Sequence, residues 1–128
     1  MTALAFDTPA GAAFLDELRN ATPVPELEAI LEVDDTHDLD LTQEQVALAG
    51  VVAEMVDART HHQQAVSIAR RLRAEPGTDI LVAPAHACVN RLLMNPFAPL
   101  WRGHSDGGVS LKREVRAIRA RLHRACSG

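Results

Sequence analysis

The longest nearly continuous apolar stretch of the chain is TQEQVALAGVVAEMVDA, residues 42–58. At about 100° per residue, Leu48, Ala49, Val51, Val52, Met55 and Val56 spread over more than half of a helix circumference, and Val46 and Ala53 lie beside them. Gly50, Glu54 and Asp57 alone interrupt this surface, within one narrow strip. A helix apolar on most sides has to be surrounded by others, which predicts an all-α fold with this helix at its centre. Thr42 and Gln45 have the Thr-x-x-Gln spacing of a capping box, so the helix is expected to begin there.

The flanking segments carry narrower apolar stripes. Thr8 suits an N-cap and Pro9 the first helical position, and Ala10, Phe14 and Leu18 share one face of a helix expected to reach about residue 20. Pro23 and Pro25 break that helix. Leu27, Ile30 and Leu31 then predict a short helix over residues 25–33. After the central helix comes DARTHHQQ, residues 57–64, a polar run that fits either one bent helix or two, followed by a second apolar rhythm at Ala65, Val66, Ile68, Ala69 and Leu72. Pro76 and Gly77 end that segment. Residues 80–94 read as a buried helix rather than a strand, given their length, their alanine content and the spacing of Leu81, Ala85, Cys88 and Leu92.

Asn95 and Pro96 begin a further helical turn, and Phe97, Leu100 and Trp101 are expected to anchor the last helix to the core. Residues 102–108 are a connection by composition. Leu111, Val115, Ile118 and Leu122 mark the buried stripe of a final helix over about residues 109–125. The pattern therefore predicts a compact single domain, residues 1–128, of five or six helices.

Composition adds four points. With 128 residues, 47% hydrophobic and 23% charged, the chain can fill one sizeable core. Three Phe, one Trp and no Tyr leave that core to Ala, Leu, Val and Ile, so close helix packing is expected. Residues 1–15 contain neither a basic leader nor a long apolar run, and no window reaches the roughly 18 apolar residues that span a bilayer; a cytoplasmic protein without a membrane span is expected. The two cysteines, Cys88 and Cys126, do not make a secreted disulfide framework.

The charge distribution changes the picture more. Residues 1–57 hold thirteen acidic side chains against Arg19 alone, a balance of −12, whereas residues 58–128 hold four acidic against twelve basic, a balance of +8. The halves either neutralise one another on folding or present two opposed surfaces. The sharpest local feature is DDTHDLDL, residues 34–41, where Asp34, Asp35, Asp38 and Asp40 crowd together. Calcium-loop spacing is suggested, but the turn glycine and the closing glutamate are missing. The first reading of these four residues is an exposed acidic loop with helix-capping duties; if they have a further role, an acidic docking surface for a basic protein partner is preferred to a metal site.

Other candidate chemistry is thinner. If the central helix ran on through the polar run, Glu54, Asp57 and His61 would lie within about 60° on one face and could hold a divalent metal, with further ligands supplied from elsewhere. His86 and Cys88 would point about 200° apart on a helix and cannot chelate one ion together. Ser67, Ser105, Ser110 and the cysteines sit in no recognised nucleophile context. Lys112, Arg113, Arg116, Arg119, His123 and Arg124 form a basic outer face on the last helix that could meet phosphate or an acidic protein. Without interleaved aromatics, and on a net acidic chain, a nucleic-acid contact ranks behind a solvated face or a contact with the acidic half of the chain.

Taken in order, Phe6-Asp7-x-Pro-Ala, then residues 13–18 (AFLDEL), the Ala/Val-rich central helix, Val89-x-x-Leu92-Leu93, Leu100-Trp101 and residues 117–122 (AIRARL) resemble the bacterial family catalogued as domain of unknown function 4259. That family usually opens with Gly-x-Trp-Gly-x-Gly and carries Asn-Asp where this chain has Thr8-Pro9. The resemblance implies a compact helical bacterial domain and brings no activity or functional residue with it. A non-catalytic protein-binding role, such as that of an immunity or antitoxin-like protein, therefore leads from charge and size. A metal-dependent enzyme using Glu54, Asp57 and His61 comes second and a nucleic-acid contact third. No cofactor is expected, and the sequence does not set an oligomeric state.

Overall fold

The computed structural model describes residues 4–20 and 22–127, and among these every regular element is helical. Seven α-helices, α1 Leu4–Asp7, α2 Pro9–Glu17, α3 Val24–Glu32, α4 Leu39–Val56, α5 Gln63–Ala74, α6 Val82–Met94 and α7 Val109–Ser127, are joined by 3-10 turns at Thr78–Leu81 and Pro99–Trp101. The count exceeds five or six because a single helical turn, α1, precedes Thr8 and the polar run separates α4 from α5. Residues 1–5 hold neither the Trp nor the Gly with which the family that the sequence resembles usually opens, and of these residues 1–3 lie outside the described residues.

Helix α4 is the centre of the molecule. It packs against all six other helices, and every residue from Gln45 to Glu54 is buried. Its predicted start is corrected: the helix begins three residues earlier than Thr42, with Asp38 as N-cap accepting from the Leu41 N–H at 3.0 Å. The Thr42–Gln45 capping box does not form. Instead the Gln45 amide donates to the carbonyls of Ile30 and Val33, both at 2.9 Å, satisfying acceptors at the end of α3 that α4 covers. The end is corrected too, since α4 stops at Val56 and Asp57 is already extended.

The other apolar stripes are buried as their spacing requires. Thr8 caps α2 by accepting from the Gly11 N–H at 3.2 Å, with Pro9 at the first position, and the helix ends at Glu17 rather than near residue 20. Leu81, Ala85, Cys88 and Leu92 are buried along α6, where Pro84 falls in the first turn and no hydrogen bond is lost. Leu111, Val115, Ile118 and Leu122 bury one side of α7. Gly77, with φ of 82°, takes the left-handed conformation that ends the α5 segment.

Phe97 departs from expectation. Leu100 and Trp101 are buried, and Trp101 Nε1 donates to the Asn95 carbonyl at 2.9 Å, but Phe97 is 74% exposed. The reason is local: Asn95 Oδ1 accepts from the Phe97 N–H at 3.1 Å, folding residues 95–98 into a tight turn that aims Phe97 outward, and helical geometry resumes only at Pro99.

Candidate functional site

Two regions of the fold gather chemistry: the C-terminal end of α4, where a groove opens, and the acidic surface at its N-terminal end. At the C-terminal end, Glu54 is 2% exposed, and its carboxylate accepts from the backbone N–H of Arg59 at 2.8 Å and of Thr60 at 3.1 Å. In a continuous helix those two N–H groups would bond to carbonyls four residues back. Captured by Glu54, they turn the chain out of the helix, which is why residues 57–62 separate α4 from α5.

Arg121 of α7 closes over this turn. Its Nη2 donates to Glu54 Oε1 at 2.8 Å, to the Ala53 carbonyl at 3.1 Å and to the Asp57 carbonyl, and its Nε donates to Asp57 Oδ1 at 2.6 Å. Arg73 of α5 adds bonds to the carbonyls of Glu54 at 2.9 Å and Met55 at 3.0 Å. Two guanidinium groups thus satisfy the end of α4, where unpaired carbonyls and the helix dipole favour positive charge. The carboxylates read as metal-ligand candidates are engaged here: Glu54 and Asp57 share Arg121, and Asp57 also meets Arg59 Nε at 3.1 Å. His61 is exposed on the turn and does not continue a helical strip with them, because no helix runs through residue 57. No group of three or more His, Cys, Asp or Glu side chains placed to hold a metal occurs among the described residues.

Beside this clasp a groove of about 910 Å³ opens between α1, the 57–62 turn and α7. Phe6, Gly50 and Ile118 supply apolar surface, and Arg59, Arg113, Asp7, His62 and Glu114 line the rest of its walls. His62 is fixed by two neighbours. Its Nδ1 accepts from the Ala65 N–H at 3.2 Å, which leaves the ring proton on Nε2, facing Asp7 Oδ1 at 3.6 Å, and its ring lies 5.0 Å from that of Phe6. Glu114 holds the start of α1 by accepting from the Leu4 N–H at 2.9 Å, and burial pushes its carboxyl above the ordinary range against those bonds. The hydroxyls at the groove are turned elsewhere: Ser110 donates to Asp106, and Thr60 accepts from the His62 N–H.

The acidic surface lies at the other end of α4. Asp34, Asp35, Asp38 and Asp40 are all exposed. Asp38 caps α4, Asp35 accepts from the His37 N–H at 3.1 Å, and Asp34 lies 3.5 Å from Arg91 Nε. Folding adds two groups that sequence order had separated from the loop: Glu17 at the end of α2 and Glu44 on α4. Burial raises the Glu44 carboxyl most, and the negative charges of Glu17, Asp40 and Asp38 raise it further. Glu44 is thus the carboxyl on which Glu17, Asp40 and Asp38 each act.

The basic half is only partly drawn into the fold. On α7, Arg121 is turned inward, Arg119 Nη1 donates to Asn90 at 3.3 Å, and Lys112 Nζ sits 5.4 Å over the Trp101 ring. Arg113, Arg116 and Arg124 stay exposed. His86 and His123 stack at 5.5 Å, and the imidazole of His86 is held below its usual range by burial first and by His123 next. Both cysteines are free; burial pushes the Cys88 thiol up to about 12, so it is not ionised near neutral pH. No helix among the described residues is long and apolar enough to cross a membrane.

The chain matches no protein-family description, no curated protein and no solved structure. Its geometry is the ground for a functional reading.

Proposed function

We propose that this is a cytoplasmic, non-catalytic protein-binding domain of immunity or antitoxin type that engages a basic partner through the surface carrying Asp34, Asp35, Asp38 and Asp40. One observation carries the reading: among the described residues no Lys or Arg forms an ion pair with Asp35, Asp38, Asp40, Glu17 or Glu44, and from α7 Arg121 meets Glu54 and Asp57 instead. Arg91 approaches only Asp34, whose side chain is 77% exposed, where such a pair adds little. Burial first, and then the negative charges of Glu17, Asp40 and Asp38, raise the Glu44 carboxyl, and an approaching cationic surface would offset the second of these. The likeness to domain of unknown function 4259 adds no activity to this proposal.

The test replaces all four aspartates by Asn. Asparagine caps helices as well as aspartate, so the Asp38 cap survives and the change isolates charge. The melting temperature should stay nearly unchanged while association with a basic partner slows. Added salt should slow the wild type towards the same rate, because steering is screened over roughly 8 Å at physiological ionic strength. A quadruple variant that melts early yet binds as fast as wild type would reject this function and make the charge asymmetry an internal device of the fold.

A further inference from the structure

Phe97 and Met94 are each 74% exposed, the most exposed of the large apolar side chains among the described residues. The chain has only four aromatic residues, and the other three, Phe6, Phe14 and Trp101, are buried. Keeping one of four outside forfeits burial that a core poor in aromatics would use. Nor is Phe97 displayed on a loose loop. Its N–H donates to Asn95 Oδ1 at 3.1 Å, its carbonyl accepts from Arg102 Nη2 at 3.4 Å, and the Asn95 carbonyl is fixed in turn by Trp101 Nε1 at 2.9 Å. The Met94 sulfur accepts from Asn90 Nδ2 at 3.5 Å.

This turn is tied to the acidic loop. Asn95 Nδ2 donates to Thr36 Oγ1 at 2.8 Å. Thr36 lies within two residues of Asp34, Asp35 and Asp38, and Asn95 lies between Met94 and Phe97. Val33 and Leu39, 45% and 41% exposed, flank the loop on either side. Arg91 and Arg102 also reach this region, and the four aspartates outnumber them. An apolar projection on a rigid turn with carboxylates beside it has the anatomy of an interface anchor with a charged rim.

We propose that Phe97 and Met94 are the apolar anchor of the partner-binding surface, seated in a pocket of a cationic protein whose Lys and Arg side chains meet Asp34, Asp35, Asp38 and Asp40. The inference rests on the protein-binding reading above and names the chemistry of the partner. The anchor projects, so its occupant has to supply the concavity. A second copy of this chain is a poor occupant, because a two-fold pair would set each acidic loop against its own image. A partner with an apolar pocket rimmed by positive charge fits both halves of the surface. The fixed turn reduces the ordering cost of binding.

Photo-crosslinking from the full chain tests this, using Phe97→p-benzoylphenylalanine as the probe and Arg124→p-benzoylphenylalanine, on the basic face, as the control. The expected result is an adduct specific to position 97 with a protein of net positive charge, mapped to an apolar pocket residue. With that protein purified, Phe97→Ala and Met94→Ala should each speed dissociation by at least about tenfold, with association rate and melting temperature unchanged. Adducts no stronger than at position 124, adducts with another copy of this chain, or adducts with an acidic protein would overturn the proposal. Unchanged dissociation in Phe97→Ala, with association still slowed by the four Asp→Asn changes, would remove the anchor and leave the acidic surface standing. The reverse pattern would retain the anchor and remove the acidic steering.

Discussion

At the scale of single residues, Arg121 matters more than any other charged side chain of the last helix. Its side chain is only 12% exposed, and it faces a Glu54 carboxylate that is buried almost completely. Taking two charges out of water is expensive, and removing one partner is worse than removing both because the survivor stays buried without compensation. Arg121→Met is therefore expected to lower stability by about 3 kcal/mol, a large share of a typical total of about 5 to 15 kcal/mol. Adding Glu54→Gln should restore part of the loss, since the amide oxygen can still accept a backbone N–H of the 57–62 turn. Urea denaturation of the two single variants and the double variant gives the coupling directly. Additive losses would mean that the clasp is not a unit.

At the scale of elements, the packing of α1 on α4 depends on the absence of a side chain. Glycine inside a helix normally costs up to about 1 kcal/mol relative to alanine, so Gly50→Ala would stabilise an isolated α4. In the folded protein a Cβ at that position would lie 2.7 and 2.9 Å from two carbons of the Phe6 ring. The ring must shift to admit that Cβ, and its centroid lies 5.0 Å from that of the His62 ring. Gly50→Ala is expected to lower the melting temperature, and Phe6→Leu added to it should recover part of the loss by vacating the ring edge. A higher melting temperature for Gly50→Ala alone would show that α1 does not press on α4 there.

At the scale of the whole molecule, the crowding of acid leaves a mark on the pH dependence of stability. Burial raises both Glu44 and Glu114 above the ordinary value of 4.5, and nearby carboxylates add to the shift in each. A carboxyl raised on folding binds its proton more tightly in the native state than in the unfolded one. Its contribution is fully present below the ordinary value and is lost as pH rises through the raised one. Stability should therefore decline less from about pH 5 to 7 in a Glu44→Gln/Glu114→Gln variant than in the wild type. Urea denaturation at several pH values compares the two curves, and parallel curves would exclude these groups as the source.

What the sequence determined by itself was set by near neighbours along the chain. The stripes of α6 and α7, the burial of α4 and the Thr8 cap of α2 follow from spacings of three and four residues that a helix converts into one face. The charge imbalance was equally legible, because counting needs no coordinates. Two of the breaks came where a side chain was drawn to a distant partner, and the third, at Phe97, is local. Thr42 and Gln45 have capping-box spacing, but Gln45 was captured by carbonyls of α3, so the start of α4 passed to Asp38. Glu54, Asp57 and His61 form a plausible strip only if the helix continues. Arg121, 67 residues from Glu54, joined Glu54 in ending it. Phe97 has the composition of a core residue, and a turn fixed by Asn95 placed it in water. Local spacing decides which face of a helix is apolar, whereas the partner of a buried charge or amide is decided by which elements the tertiary fold brings together, and a one-dimensional pattern does not contain that information.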